Sequence, residues 1–126
     1  MIVSVGIDII EVERVRRALQ RTPRFAARVF TDRERAYCDG RGKASAQHYA
    51  ARFAAKEAAF KALGTGWVGS LSWHDIEVTR DEAGKPLLLF HGHARALLEA
   101  SGATAAHLSL SHTAEHAVAI VVLEKI

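Results

Sequence analysis

The alanine-rich stretch of residues 45–63 constrains the fold more than any other part of this sequence. It contains no glycine or proline, and alanine has the highest helix propensity of all residues. Gly64 and Gly66 follow at once, and glycine is a common residue just after the end of a helix. The sequence therefore predicts one long helix over these residues.

The elements around this helix follow from hydrophobic periodicity and turn residues. Residues 2–10 are rich in Val and Ile and are apolar on both alternating sets, which predicts a buried strand. The spacing over residues 11–20 is helical and ends before Pro23, and a second helix begins near Thr31 or Asp32 with a capping-box pattern. The remaining predictions are strands at 75–80 and 87–90, a helix at 93–100, and a hairpin of strands at 107–111 and 117–123.

This order of elements predicts the fold class. It reads β-α-α-α-β-β-α-β-β, which indicates an α+β fold rather than a regular βαβ series. A chain of 126 residues, 49% of them hydrophobic, fits one domain over residues 1–126. A lone cysteine, Cys38, excludes an intramolecular disulfide framework. With no signal peptide and no apolar stretch approaching the length of a membrane span, the sequence predicts a cytoplasmic protein.

Asp8 is unusual because it places a carboxylate inside an otherwise apolar strand. Burying it without a partner would cost several kcal/mol or shift its pKa. One interpretation is a carboxylate at the end of the strand that caps the next helix. The other is a metal ligand, since Mg²⁺ is commonly held by one or two carboxylates together with phosphates and water.

Glu57 and Lys61 lie four residues apart on the long helix and therefore share a face. An ordinary helical ion pair between them accounts for this spacing. The alternative is that Glu57 faces the same metal as Asp8, while Lys61 contacts a phosphate one turn further on.

Gly64, Ser111 and His112 are weaker candidates. Gly64 is explained as a helix end, although a glycine also lets a phosphate or ribose approach the backbone. Ser111 shares a strand face with His107 and Ser109, and His112 follows at the turn. These polar groups suit phosphate hydrogen bonding or simply a solvated strand face.

Residues 14–28 form the one strongly basic segment, with six arginines and no acidic residue. Arg14, Arg17, Arg21 and Arg24 would share a helical face if the helix continued past Pro23. Such a row suits an acidic helical partner, with Phe25 as an apolar anchor, because guanidinium groups pair well with carboxylates. The alternative is a nucleic-acid-binding module, although a net charge of +3 does not itself indicate one.

Four motifs, in order along nearly the whole chain, together resemble the holo-acyl-carrier-protein synthases, the short trimeric type of 4′-phosphopantetheinyl transferase. They are GIDIIEVER at residues 6–14, FAAKEAAFKALGTG at 53–66, GKP at 84–86 and LSLSH at 108–112. The resemblance implies a homotrimeric α+β enzyme with active sites between neighbouring subunits. It also implies Mg²⁺-dependent transfer of 4′-phosphopantetheine from coenzyme A to a serine of apo acyl carrier protein, with release of adenosine 3′,5′-bisphosphate.

The resemblance also implies roles for individual residues. Asp8 and Glu57 would hold Mg²⁺, and with Lys61 they would be the catalytic group. The proton acceptor would be either Glu57 or a metal-bound water. The implied coenzyme A site contains Lys61, Gly64, Ser111 and His112. The implied surface for the acidic helix of the carrier protein contains Arg14, Arg21, Arg24 and Phe25.

Overall fold

The computed structural model describes residues 1–64 and 71–126, so Thr65 and Gly66 of the predicted helix stop lie outside the described residues. No helix in these two ranges is long and apolar enough to cross a membrane. The elements in chain order are β1 (Ile2–Glu11), α1 (Val12–Arg21), α2 (Phe25–Val29), α3 (Asp32–Asp39), α4 (Ser45–Ala62), β2 (Ile76–Arg80), β3 (Pro86–Phe90), α5 (Gly92–Ala100), β4 (Ala105–His112) and β5 (His116–Glu124).

The predicted α+β class is confirmed, and the order of elements differs by one helix. The short helix α2, only five residues long, was not predicted. α1 ends at Arg21, with Thr22 extended as its C-terminal cap, so the predicted end before Pro23 is confirmed. The condition under which Arg24 would share a helical face with the arginines of α1 is therefore not met. The capping box at Thr31 is confirmed, because its hydroxyl accepts a hydrogen bond from the Glu34 amide and the Glu34 carboxylate accepts one from the Thr31 amide.

The main sheet is antiparallel in the order β1-β5-β4, and α4 lies across its inner face. Gly6 is the point of closest approach between β1 and this helix. A Cβ atom built on Gly6 would lie 1.9 Å from the Ala58 carbonyl oxygen and 2.8 Å from the Ala62 amide nitrogen. Only glycine fits here, so this residue sets how closely β1 packs on α4.

The opposite face of the same sheet is apolar and exposed. Val5, Ile7 and Ile9 of β1 are 52%, 57% and 66% exposed, and Ile120 of β5, which pairs with Ile7, is 38% exposed. The prediction that β1 is buried on both sides is therefore wrong for the single chain, because nothing in the chain's described part covers this side. We call these four residues the outer sheet face.

The second sheet is the hairpin of β2 and β3, and a buried ion pair connects it to the helices. Lys56 of α4 and Glu34 of α3 are both fully buried, with Lys56 Nζ 2.9 Å from Glu34 Oε1. Lys56 also donates to the carbonyls of Trp73 and Ile76, and the second oxygen of Glu34 accepts from the Val78 amide at 2.7 Å. The pair thus fixes α3, α4 and the start of β2 to one another.

Cys38 lies in the core beside this pair, with no exposed surface. Burial raises the pKa of its thiol to about 12, an effect that outweighs the nearby guanidinium of Arg52. The thiol therefore stays protonated and unreactive at neutral pH.

Candidate active site

Asp8 lies in the middle of β1, on the side that faces α4. It alternates with the exposed Ile7 and Ile9, and its side chain is only 16% exposed. β1 continues to Glu11, and Glu11 precedes the first turn of α1. The interpretation of Asp8 as a carboxylate at the strand's end that caps the next helix is therefore wrong.

Lys61 reaches across from the last turn of α4 to this carboxylate. Its Nζ lies 3.0 Å from Asp8 Oδ1 and donates to the Ile7 carbonyl, also at 3.0 Å. The ammonium of Lys61 is thus bound to β1, and the contacts of the described residues include no ion pair between Lys61 and Glu57. The interpretation that Glu57 and Lys61 form an ion pair within the helix is therefore wrong.

Glu57 is a half-buried carboxylate that has no hydrogen-bond partner within the described ranges. Burial raises its pKa above the ordinary value, and the negative charge of Asp8 raises it further, while Lys61 opposes the shift. Asp8 and Glu57 are therefore close enough to repel each other. A cation placed between them would remove this repulsion.

These three side chains, which we call the carboxylate site, come from two elements that Gly6 holds together. Residues 1–64 and 71–126 contain no group of three or more Asp, Glu, His or Cys side chains able to hold a metal. The chain therefore offers two carboxylates and leaves other coordination positions to water or phosphate. That donor set fits Mg²⁺, which keeps several waters and is usually bound by one or two carboxylates plus substrate phosphates.

Gly64 follows α4 directly, with its amide donating to the Lys61 carbonyl at 2.9 Å. Its φ of +82° lies in the left-handed region that favours glycine, and no atom of residues 1–64 and 71–126 lies within 4 Å of a Cβ built there. Among the described residues, none therefore covers the backbone at the end of α4 beside Lys61.

Ser111 and His112 lie away from the carboxylate site of the same chain. Ser111 pairs with Val118 and lies on the side of the sheet opposite α4, together with the outer sheet face. His112 lies on the side of α4, but at the helix's other end, where its Nδ1 is 3.0 Å from Gln47 Oε1 and its ring is 5.0 Å from that of His48. His48 and Lys61 are about 20 Å apart along the helix at 1.5 Å per residue.

His112 lines a pocket that the sequence did not predict. The pocket has a volume of about 190 Å³. It receives side chains from α3, α4, β2 and β4, among them Tyr37, His48, Arg52, Arg80 and His112. We call it the tyrosine pocket. Its residues are spread over the sequence with no common spacing, so only the fold brings them together.

Arg14, Arg21 and Arg24 are exposed, and the first two lie on α1. Within the described part of the chain none of the three forms an ion pair, whereas their neighbours Arg16 and Arg17 both bind Glu13. Phe25 begins α2 and packs against Phe30 and Phe53. The four predicted partner residues thus all lie in α1, at the start of α2 or in the loop between these helices.

An apolar pocket opens beside these residues. Its volume is about 130 Å³. The residues that line it are Ile10, Arg14, Val15, Ala18, Phe25 and Phe53. Of the three exposed arginines, Arg14 therefore lines this small apolar cavity together with Phe25.

Residues 4–121 match the family model described as the 4′-phosphopantetheinyl transferase superfamily. The chain belongs to this superfamily. The family predicted from the four motifs is confirmed, and with it the prediction that the protein is a transferase. Among curated members of this superfamily, the holo-[acyl-carrier-protein] synthase of Koribacter versatilis is 49% identical over 125 residues, which cover 98% of this chain and 99% of the relative. That of Geobacter metallireducens is 47% identical over 127 residues, with both chains fully covered.

Solved structures from the superfamily have the same fold over the whole chain. A holo-(acyl-carrier-protein) synthase from Bacillus anthracis, in complex with CoA (3′,5′-ADP), is 42% identical with a TM-score of 0.82, over 100% of this chain and 99% of that one. The enzyme from Neisseria meningitidis is 36% identical with a TM-score of 0.87, over 99% and 100% of the two chains.

Proposed function

We propose that this protein transfers the 4′-phosphopantetheine group of coenzyme A to a serine of an apo acyl carrier protein. Membership of the superfamily and the coenzyme A complex of the Bacillus anthracis relative support this proposal. The observation that carries it is the carboxylate site, in which Lys61 bridges from α4 to Asp8 and Glu57 lies beside them. Nothing in the comparisons supports the alternative of a nucleic-acid-binding module.

Asp8 and Glu57 would hold Mg²⁺ through their carboxylate oxygens. When bound there, the ion would offset the charge of the coenzyme A diphosphate and polarise its phosphorus. Lys61, which now neutralises Asp8 from 3.0 Å, is half exposed, so its ammonium can turn to a phosphate oxygen when a cation takes over that role. Gly64 would let the diphosphate approach the backbone next to Lys61.

The reaction exchanges one phosphorus–oxygen bond for another. The carrier's serine oxygen forms a bond to the β-phosphorus of coenzyme A, and the bond from that phosphorus to the bridging oxygen breaks. Adenosine 3′,5′-bisphosphate leaves with that oxygen, and the serine proton passes to the Glu57 carboxylate or to a water molecule at the carboxylate site. Lys61 stabilises the charge that develops on the phosphoryl oxygens, which is the main task of a protein in phosphoryl transfer.

The active form would be a homotrimer with sites shared between copies. The outer sheet face supports this proposal, because exposed apolar patches of this kind mark association surfaces. The positions of the implied coenzyme A residues support it as well, because Ser111 and His112 lie far from Lys61 and Gly64 of the same chain. Ser111 lies beside the outer sheet face, and His112 lies far along α4 from Lys61, so a second copy is needed to complete one site from these residues.

The carrier protein would bind at the free arginines of α1 and the loop before α2. Arg14, Arg21 and Arg24 have no internal carboxylate partner within the described ranges and so remain available for an acidic helix. The apolar pocket beside Phe25 would receive one apolar side chain of that helix. Charge at the rim and an apolar centre together suit a specific and transient interface.

Mass spectrometry of an apo acyl carrier protein tests the proposed reaction. After incubation with the protein, coenzyme A and MgCl₂, we expect the carrier to gain the mass of one phosphopantetheine arm. Asp8→Asn and Glu57→Gln should each lose the transfer while keeping the wild-type thermal unfolding profile with ligands absent, apart from small shifts. Absence of any mass gain with a folded protein and several carriers would contradict the proposal.

A further inference from the structure

Helix α1 contains four arginines, and a single carboxylate binds two of them. Glu13 Oε2 lies 2.6 Å from Arg16 Nη1, and Glu13 Oε1 lies 3.7 Å from Arg17 Nε. Arg14 and Arg21, by contrast, form no ion pair with any residue of the described ranges 1–64 and 71–126. The helix therefore presents two free and two paired guanidinium groups to an acidic partner.

Glu13 and the free arginines lie on different sides of α1. At 3.6 residues per turn, Arg14 and Arg21 are only about 20° apart around the helix axis, whereas Glu13 is about 100° from Arg14. Arg14 lines the apolar pocket beside Phe25, while Glu13 and Arg16 line a different pocket. Glu13 thus holds its two arginines toward this second pocket and away from the apolar one.

The second pocket, which we call the acidic pocket, has a volume of about 170 Å³. Its lining residues are Glu11, Glu13, Arg16, Ala114, Glu115 and His116. The turn between β4 and β5 places Glu115 there, because the Val12 amide of α1 donates to the Glu115 carbonyl at 2.8 Å. An acidic helix that approached this side of α1 would meet three carboxylates and would be repelled.

Glu13 also has an ordinary structural role, since a carboxylate in the first turn interacts favourably with the helix dipole. Its ion pairs contribute little to folding, because Glu13 is 51% exposed and Arg17 is 61% exposed. The larger effect of Glu13 is on a charged partner. It removes two of the four guanidinium groups of α1 from competition for an acidic helix.

We propose that Glu13 is a specificity-determining residue, which keeps Arg16 and Arg17 from the acidic helix of the carrier. It thereby restricts this helix to the side of α1 that contains Arg14 and Arg21. The inference rests on the proposed function, in which the free arginines and the apolar pocket receive the carrier. Without the charge of Glu13, the carrier would also bind to the two released arginines. Its serine would then not reach the carboxylate site, so this second complex would be nonproductive.

Glu13→Gln removes the charge and keeps the size of the side chain. A carrier that binds in two orientations, one of them nonproductive, lowers kcat and KM for the carrier by the same factor, because the nonproductive complex occupies enzyme at saturation. We expect both constants to fall by roughly two- to fivefold, with kcat/KM nearly unchanged. Glu13→Asp keeps the charge and should behave as the wild type. The measurement is the initial rate of transfer with the carrier varied at saturating coenzyme A and MgCl₂.

Glu99→Gln is the matched control, because it changes the net charge by the same amount and also releases an arginine from an exposed helical pair. Glu99 of α5 lies 3.2 Å from Arg95, and both side chains are exposed. This variant should keep the wild-type kcat and KM. Circular dichroism and thermal unfolding confirm that each variant is folded.

Arg14→Gln separates nonproductive binding from a general gain in attraction. A carrier whose acceptor serine is replaced by alanine cannot be modified, so calorimetry with this carrier measures binding alone. Adding Glu13→Gln to Arg14→Gln should raise the affinity for this carrier by roughly three- to tenfold. The kcat/KM of transfer to the normal carrier should stay at the value of Arg14→Gln alone.

An affinity and a kcat/KM that recover together in the double variant would overturn the inference, since Glu13 would then act only through the charge around one binding mode. Unchanged kcat and KM in Glu13→Gln, or equal changes in Glu99→Gln, would overturn it as well. Transfer by the wild-type protein is measured in the same assay. Failure of this specificity role is thus distinguishable from failure of the proposed transferase.

Discussion

Asp8, Glu57 and Lys61 form an electrostatic arrangement that is only partly compensated in the metal-free protein. Lys61 neutralises Asp8 directly, whereas Glu57 has the charge of Asp8 beside it and no hydrogen-bond partner in the described structure. The charge on Glu57 therefore costs folding stability when no cation is bound. A site that is unfavourable when empty is favourable for the ion that fills it.

Glu57→Gln should therefore stabilise the metal-free protein, and the gain should depend on pH. Because the folded pKa of Glu57 lies above its unfolded value, the native state holds more protons between the two, and stability falls as pH rises through that window. We expect a higher Tm than wild type at pH 7 and no difference below the unfolded pKa of about 4.3. Thermal scans in EDTA across pH 4–8 measure this difference.

The same variant should lose the stabilisation that MgCl₂ gives the wild type. Mg²⁺ needs a deprotonated carboxylate, so its stabilising effect on wild type should grow as pH rises through the folded pKa of Glu57. A Glu57→Gln protein that is less stable than wild type at pH 7 without metal would contradict the repulsion argued here.

For single residues, the sequence correctly indicated which side chains form the carboxylate site, but it did not predict which of them contact each other. Asp8 was conspicuous because a charge inside an apolar strand needs an explanation, and Glu57 and Lys61 because of their spacing. That Lys61 pairs with Asp8 depends on the packing of β1 against α4, which spacing within one helix does not specify. Tyr37 and Arg52 carried no signal, because each is an unremarkable residue of its own helix.

Among the elements, the contact of β1 with α4 sets the geometry of the carboxylate site. Gly6→Ala should force the two apart, since the new Cβ would overlap the Ala58 carbonyl at 1.9 Å. We expect a loss of about 1–3 kcal/mol in unfolding free energy, as for an overpacked core, and a marked loss of transfer activity. Urea denaturation and the carrier assay give the two values.

Gly40→Ala is the matched control for Gly6→Ala. Gly40 has an ordinary φ of −78°, and the nearest atom to its added Cβ is 3.4 Å away. Its effect on stability and activity should be small. Similar behaviour of the two variants would show that the close approach of β1 does not matter.

The buried pair of Lys56 and Glu34 joins the two sheets through α4. Lys56→Met would leave Glu34 as an unpaired buried charge, so we expect a loss of about 3–5 kcal/mol in urea denaturation at pH 7. Lys61→Met removes another lysine of the same helix. Lys61 is half exposed and pairs with Asp8, so its loss should change the unfolding free energy by less than about 1 kcal/mol. Equal effects of the two substitutions would contradict this account.

The elements themselves were largely predictable, since alanine content, turn residues and the Thr31 capping box are local signals. The five-residue helix α2 was missed because it is too short for a helical period to appear, and Pro23 just before it indicates an interruption. The exposure of one face of β1 was also missed. A strand apolar on both sides looks the same in sequence whether its second side packs inside the chain or against another copy.

For the whole molecule, the outer sheet face predicts the oligomeric state. Ile7→Glu should prevent self-association, because a charge at the centre of an apolar interface is desolvated without a partner. Light scattering should then give the monomer mass, and transfer activity should fall with it. Leu87→Glu is the control, since Leu87 is a similarly exposed apolar residue, 39% exposed, on the other sheet. An Ile7→Glu protein that keeps the wild-type mass would exclude this interface.

Shared sites also predict that two impaired variants complement each other. Asp8→Ala and His112→Ala damage residues that, in the proposed trimer, meet from different copies. Mixing them after partial unfolding and refolding leaves about one site in four intact, one half times one half. Recovery of roughly that fraction of activity supports shared sites, whereas no recovery indicates sites contained within one chain.

The fully buried Cys38 has a practical consequence for how the reaction is followed. The transferred arm ends in a thiol, and the protein's own single thiol is protonated and closed to reagents. With a cysteine-free carrier, a fluorescent maleimide added after removal of coenzyme A should stain the modified carrier in a gel and leave the native transferase dark. Because Cys38 does not react with the maleimide, the fluorescence of the carrier band measures the amount of phosphopantetheine that has been transferred.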